Sequence, residues 1–321
     1  MSEIRKSTPR ISAVIPVYNE RDSVAELIEE LVSVLEDGYD YELIFVDDGS
    51  TDGSLERLQE GVRSHENLTV IRFLRNHGKS AALSAGFQRA SGEFIVTLDA
   101  DLQDDPHEIP RLVKLLEDGY DLVSGWKKHR QDPVFRRLSS KFFNFSTRVV
   151  TGIKIHDFNC GLKAYRKNVA KELDIYGGMH RYIPVLAAKK GFRVREAVVN
   201  HRPRKFGATK YGAERYFHGL FDLLTVLFLS RYTRRPLHLF GIFGLLSFLV
   251  GFGVNLWVLY LKYGVGDPFR KHMALLVFGV LLLILGVQFV SIGLLGEMIA
   301  QSRTRGGKII QEVMDKDSPR M

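Results

Sequence analysis

Two aspartates, Asp99 and Asp101, stand at i and i+2 directly after a short apolar run, and Gln103 follows two residues later. Carboxylates placed that closely repel one another, and a divalent cation between them and a phosphate relieves the repulsion. Mg2+ or Mn2+ bridging Asp99, Asp101 and Gln103 to a diphosphate is therefore the chemistry that this spacing points to. Two other apolar runs are also followed by polar groups. Pro16, Tyr18, Asn19 and Glu20 come after or at the end of the first, and Asp47-Asp48-Gly49-Ser50-Thr51-Asp52 after the second. The second cluster equally fits a turn that N-caps the next helix, because Asp, Gly and Ser are what such a turn selects. No Walker loop and no Gly-x-Gly-x-x-Gly follows any of these runs, so the usual glycine cradles for nucleotide phosphates lose ground.

The elements that must position these groups alternate in type. Strand patterns cover Ile11 to Val17, Tyr41 to Val46, Leu68 to Leu74, Glu93 to Leu98 and Asp121 to Ser124, rich in β-branched and aromatic residues. Helix-period patterns lie between them at Ser23 to Leu35, Ser54 to Ser64, Lys79 to Ala90 and Glu108 to Glu117. Such alternation with short connections predicts an α/β fold with a mostly parallel sheet, in which ligands bind at the carboxyl ends of the strands. The three clusters stand at three such ends and converge.

The formal net charge of +8 conceals a division: residues 1–126 carry −13, residues 127–235 carry +18 and the remainder +3. Charge segregated this sharply predicts different charged ligands for the two regions, and it leaves nucleic acid a poor candidate partner. The basic segment predicts helices at Val134 to Val150, Tyr182 to Lys190 and an amphipathic stretch at Arg215 to Leu229, with a strand at Val194 to Asn200. Cys160, the single cysteine, cannot form an intramolecular disulfide and reads as a small buried residue. The first apolar run is too short for a cleavable signal peptide.

Two uncharged apolar runs close the chain, 25 residues from Leu237 to Leu261 and 24 from Met273 to Gly296. As helices each reaches roughly 36 Å, enough to cross a hydrocarbon core of about 30 Å. A pair of buried core helices is the alternative. The short linker makes a transmembrane hairpin, and the positive charges flanking it outnumber those in its loop, which favours flanks on the cytoplasmic side. His238 and Asn255 inside the first run are polar groups that face a helix partner, which leaves a homo-oligomer open.

Ile15-Pro16-Val17-Tyr18-Asn19-Glu20, Val46-Asp47-Asp48-Gly49-Ser50-Thr51-Asp52-Gly53 and Leu98-Asp99-Ala100-Asp101-Leu102-Gln103-Asp104 together resemble the glycosyltransferase family 2 pattern on a GT-A fold. With the C-terminal hairpin the resemblance spans about residues 10–300 and is nearest to the polyprenyl-phosphate glycosyltransferases. That group includes dolichol-phosphate mannose synthases, bactoprenol glucosyltransferases and the undecaprenyl-phosphate aminoarabinose transferase. The resemblance implies that Pro16, Tyr18, Glu20 and Asp48 hold the donor base and ribose. It places Asp99, Asp101 and Gln103 at metal and diphosphate, and Gly78, Lys79 and Ala82 beside the nucleotide. Asp157 and Arg166 match a block near the sugar. Arg204-Lys205-Phe206-Gly207-Ala208-Thr209-Lys210 matches an acceptor-side Arg-x-x-Gly-x-Ser-Lys block, with Thr209 in place of Ser. The Gln-x-x-Arg-Trp block of processive synthases is absent, which favours transfer of one sugar.

The expectation is a membrane enzyme that moves a sugar from a GDP or UDP donor to a polyprenyl phosphate. Asp101, Asp157 and Arg204 are its candidate catalytic residues, and Arg130, Arg136, Arg204 and Lys210 its cationic clamp for the acceptor phosphate. For Asp157 a capping role competes with the catalytic one. The expected layout is a cytoplasmic catalytic domain over 1–210, a juxtamembrane helix over 211–235, a hairpin over 236–300 and a cytoplasmic tail over 301–321. A processive or protein-directed transferase and a non-catalytic nucleotide-sugar-binding membrane partner are the alternatives.

Overall fold

The computed structural model describes residues 10–36, 38–128, 144–145, 147–149, 151–203, 205 and 236–304. The chain divides into two compact units, Met1–Val226 and Leu227–Met321.

The first unit is built on a seven-stranded sheet in the order β3-β2-β1-β4-β6-β5-β7. Its strands are β1 (Ile11–Val17), β2 (Tyr41–Asp47), β3 (Leu68–Arg72), β4 (Phe94–Thr97), β5 (Leu122–Trp126), β6 (Lys163–Arg166) and β7 (Val194–Val198). β1 pairs in parallel with β2 on one side and β4 on the other, with Val17 opposite Asp47 and Val14 opposite Thr97. Strand order turns at β1, so the crevice lies beyond the carboxyl ends of β2, β1 and β4, as the alternating pattern anticipated. The helices α1 (Arg21–Glu36), α2 (Ser54–Ser64), α3 (Lys79–Arg89) and α4 (Ile109–Glu117) follow β1 to β4. α1 buries Val24, Leu27, Ile28, Leu31 and Leu35, the three- and four-residue spacing of a helix with one face on a core. These side chains pack with Ile15, Val17, Leu43, Phe45, Val96 and Leu98 from the sheet.

β6 was not anticipated. It is four residues long, KAYR, with charged residues at both ends, so its period-two signal is too short to register. It runs antiparallel to both neighbours, with Lys163 opposite Thr97 and Arg166 opposite Phe94. The predicted strand at Val194 is β7 and ends at Val198. The predicted helix at Tyr182 is a 3-10 turn, Met179–Tyr182, followed by α6 (Ile183–Lys189), and a short helix α5 (Lys167–Glu172) precedes it. Most of the predicted helix Val134 to Val150 and all of the amphipathic stretch Arg215 to Leu229 lie outside the described residues.

The second unit is a helical hairpin of α7 (Pro236–Tyr260) and α8 (Met273–Thr304). Two segments that overlap them are long and apolar enough to cross a membrane, Phe240–Val265 and Phe269–Met298. Their apolar side chains are mostly exposed, unlike those of core helices; Leu245 is 58% exposed and Val277 59%. The two backbones approach closely where each lacks a side chain. A Cβ at Gly244 would lie 2.8 Å from the Gly286 carbonyl oxygen, and one at Gly251 2.7 Å from that of Gly279. Asn255 satisfies its own helix by donating to the Gly251 carbonyl at 2.8 Å, and it packs against Gly279 of α8. Its helix partner is therefore within the same hairpin.

Candidate active site

The loop after β1 and the loop after β2 are stitched together by short polar bonds. Asn19, held at a positive φ of 53°, takes the Ser50 hydroxyl as acceptor for its N–H at 2.9 Å and accepts from the Thr51 N–H at 2.8 Å. Glu20 N–H donates to Ser54 Oγ at 2.8 Å, and Arg21 N–H to Asp52 at 3.1 Å. Asp47 is fully buried and accepts from Ser50 N–H at 3.0 Å. These are the turn and capping roles that the sequence allowed for Asp47, Ser50 and Asp52. Pro16 and Glu20 are half-buried and Tyr18 exposed, along the rim of the crevice.

Asp48 does something different. Its two carboxylate oxygens accept the N–H groups of His77 and Gly78 at 2.7 and 2.9 Å, at the start of α3. The next residue, Lys79, places its ammonium on the carboxylate of Asp99. Successive residues at the start of α3 thus tie the end of β2 to the end of β4.

Beyond β4 the chain continues with an alternation of its own. Asp99, Asp101 and Gln103 are partly exposed on the open side, whereas Leu98, Ala100, Leu102 and Asp104 are buried. Leu102 adopts φ 61°, and Gln103 N–H donates to Asp101 at 3.2 Å, which keeps the loop tight. Three oxygen-bearing side chains on one face of one loop are a donor set suited to a hard cation such as Mg2+ or Mn2+. Burial opposes the charged form of Asp99, but the ammonium groups of Lys79 and Lys127 outweigh it and hold the carboxyl at about 2. It is a ready anionic ligand at any physiological pH.

Beneath this loop lies a layer that sequence reasoning missed. Lys127, immediately after β5, pairs with buried Asp104 at 2.8 Å, and Asp104 in turn accepts from the Asp99 N–H at 3.2 Å. The strand-end rule that found Asp99 would have found Lys127. Gly161 packs against Asp99 and Asp104 where no side chain fits, and its carbonyl accepts from Thr97 Oγ1 at 2.9 Å. Lys163 lies below it on β6, which had no legible signal.

Asp157 is buried, and its carboxylate accepts from Asn159 N–H at 3.1 Å and from Lys127 N–H at 3.4 Å. Those bonds hold the turn that leads to Gly161, as the capping reading of Asp157 expects. Arg166 corrects an implication of the resemblance. Because β6 is antiparallel, Arg166 sits beside the amino end of β4, at the opposite end of the strands from Asp99, bonded to the carbonyls of Leu116 and Tyr120 at 2.6 and 3.1 Å. Cys160 is buried and pushed up to about 12 by burial, which makes it an inert thiol. His180 is held well below its ordinary value by burial and the nearby Lys79, so it is neutral, with Nδ1 3.1 Å from Ser80 Oγ. Arg130, Arg136, Arg204 and Lys210 lie outside the described residues.

A second acidic group, Glu30, Asp105 and His107, has ligand atoms close enough to hold an ion. The Arg202 guanidinium already occupies it, 2.7 Å from Glu30 and 2.6 Å from Asp105. This cluster is an ion network that ties Arg202 to α1 through Glu30.

The pattern described as Glycosyl transferase family 2 matches residues 12–174. This protein is a family 2 glycosyltransferase. A second pattern, described as GtrB C-terminal hairpin, matches residues 235–302 and covers α7 and α8. The glycosyltransferase is 38% identical to the dodecaprenyl-phosphate galacturonate synthase of Rhizobium johnstonii, over 96% of this chain and 94% of that one. It is 37% identical to the undecaprenyl-phosphate 4-deoxy-4-formamido-L-arabinose transferase of Edwardsiella ictaluri, over 98% and 97%. Among solved structures it resembles the Mycobacterium tuberculosis glucosyl-3-phosphoglycerate synthase in complex with Mn2+, UDP-glucose and phosphoglyceric acid. There the TM-score is 0.54 and the identity 19%, over 69% of this chain and 79% of the other, which establishes the GT-A fold of the glycosyltransferase.

Proposed function

We propose that this glycosyltransferase moves a single sugar from a nucleoside-diphosphate donor to a polyprenyl phosphate, at the cytoplasmic face of a membrane and with inversion at the anomeric carbon. One observation carries the reading: similarity to two polyprenyl-phosphate enzymes extends over at least 94% of each chain and therefore through the hairpin as well as the sheet. A relative that shared only the nucleotide-sugar domain would stop before α7.

In this reading Pro16, Tyr18, Glu20 and Asp48 border the nucleoside. Lys79 stands between the nucleoside and diphosphate ends of the site, because its neighbour Gly78 bonds Asp48 while its own ammonium reaches Asp99. Asp99, Asp101 and Gln103 would hold Mg2+ or Mn2+, which supplies charge stabilisation on the departing diphosphate. The acceptor is its own nucleophile. A phosphate monoester, with a second pKa of about 6, is anionic near neutral pH and needs no strong general base. What it needs is a cationic clamp, and residues 127–235, with net +18, supply Arg130, Arg136, Arg204 and Lys210. Arginine grips phosphate through two parallel N–H bonds, which favours Arg204 as the specific contact. Asp157 supports the floor of the site by holding the turn before Gly161.

The test uses the purified full chain in detergent with polyprenyl phosphate, Mg2+ or Mn2+, and a panel of radiolabelled UDP- and GDP-sugars. Label from one donor should move into the chloroform-methanol phase as a lipid-linked monosaccharide. Label recovered as aqueous polymer or on protein would overturn the acceptor assignment, and no transfer from any donor would overturn the reading as a whole.

A further inference from the structure

The antiparallel course of β6 brings its amino end, Lys163, beside Thr97 at the carboxyl end of β4, two residues before Asp99. Lys163 is only 3% exposed. Its ammonium has a single polar partner, the backbone carbonyl of Cys160, and it makes no ion pair among the described residues. The other two lysines of this layer are matched to carboxylates, Lys79 to Asp99 and Lys127 to Asp104. Lys163 is thus the lysine of this layer without an ion pair among the described residues, although Asp157 and Asp99 stand near enough to favour its charge.

The space it borders is a small cavity also lined by Lys79, Asn159, Gly161, His180 and Arg181. Three of these residues, Lys79, Asn159 and Arg181, carry side-chain N–H donors. A buried ammonium without an ion pair is costly, and it is retained in place of an apolar residue only where a ligand or a fold constraint rewards it. Burial, with repulsion from Lys79, lowers the pKa of Lys163, as expected for a site built for an anion that is not part of the protein.

We propose that Lys163 binds an anionic oxygen of the sugar-nucleotide donor, with Arg181 beside it. This rests on the donor reading above. The shared chemistry is an oxyacid group, and it has two sources: the donor diphosphate, or a carboxylate on the transferred sugar. In either case Lys163 is a donor contact on the floor of the site, and it sets specificity only if its partner is the sugar carboxylate.

The experiment measures calorimetric binding of UDP, GDP, UDP-glucose and UDP-glucuronate to the full chain with Mn2+, for the wild type, Lys163→Met and Lys163→Arg, together with thermal unfolding. Lys163→Met should weaken binding at least tenfold and leave the melting temperature unchanged or raised, because an apolar isostere removes an unmatched charge. Lys163→Arg should keep most of the affinity. Loss across all probes that wild type binds identifies the diphosphate, and loss confined to UDP-glucuronate identifies a sugar carboxylate. Affinity equal to wild type in Lys163→Met, or in Lys163→Gln should the methionine variant not fold, overturns the proposal and leaves Lys163 a support for the Cys160 turn. Wild-type protein that binds none of the four overturns the donor reading itself.

Discussion

Gly161 and Asp99 meet where no side chain fits: a Cβ at position 161 would lie 2.6 Å from the carboxyl carbon of Asp99 and 2.7 Å from an oxygen of Asp104. The glycine belongs to the floor of the site, and Asp99 takes its position from that floor as much as from β4. Gly161→Ala should therefore displace the Asp99 carboxylate. We expect a loss of about 1–3 kcal/mol in stability, the usual range for overpacking, and a larger proportional loss of Mn2+-dependent transfer. Thermal unfolding and initial rates across a Mn2+ titration read the two effects separately.

Asp101 is partly exposed and accepts from Gln103 N–H within its own loop, so its removal should spare the fold. Asp101→Ala is expected to lower kcat by at least about a hundredfold, the scale seen when one group that stabilises developing charge is lost, with an unchanged melting temperature. Activity that persists in full in EDTA would sink the metal role of this loop.

Glu42 sits near the start of β2, at the far end of the sheet from the site. Its carboxylate accepts from Ser91 N–H at 2.7 Å, Ser91 Oγ at 2.8 Å and Ser12 Oγ at 2.5 Å. Burial works against its charge, but these hydrogen bonds prevail and lower its pKa. A folded value below the unfolded one, about 4.3, means that the stabilisation is present above that pH and disappears as the pH falls through the folded value. Glu42→Gln should cost roughly 1–3 kcal/mol at pH 7 and progressively less as the pH falls below about 4.3, measured by chemical unfolding, without changing KM for the donor.

Gly251 and Gly279 let α7 and α8 touch. Gly251→Leu should force the helices apart, since even its Cβ would lie 2.7 Å from the Gly279 carbonyl oxygen. The expected outcome is poor accumulation in membranes, while Gly253→Leu, with nothing within 4 Å of its Cβ, accumulates normally. Immunoblots of washed membranes compare the two.

Arg204→Ala should raise KM for polyprenyl phosphate about tenfold or more and leave KM for the donor within about twofold, as expected for loss of a charge-assisted bidentate contact. Equal effects on the two constants would remove Arg204 from the acceptor clamp.

The sequence by itself determined the alternation of β1 to β4 with α1 to α4, the crevice at their carboxyl ends, the oxygen set Asp99, Asp101 and Gln103, and the two apolar helices of the hairpin. These features are legible because each is local. A period, a strand end or an uncharged run is complete within a few residues to a few turns of chain. Tertiary structure alone decided which of those groups are matched. Asp99 with Lys79, Asp104 with Lys127, and Glu30 and Asp105 with Arg202 are pairs separated by 20 to 172 positions, and no spacing announces them. It also decided the direction of β6, a four-residue strand too short to carry a pattern. That direction put Arg166 at the far end of the strands and Lys163 under the loop after β4, because an antiparallel strand presents its amino end where its neighbour β4 presents its carboxyl end.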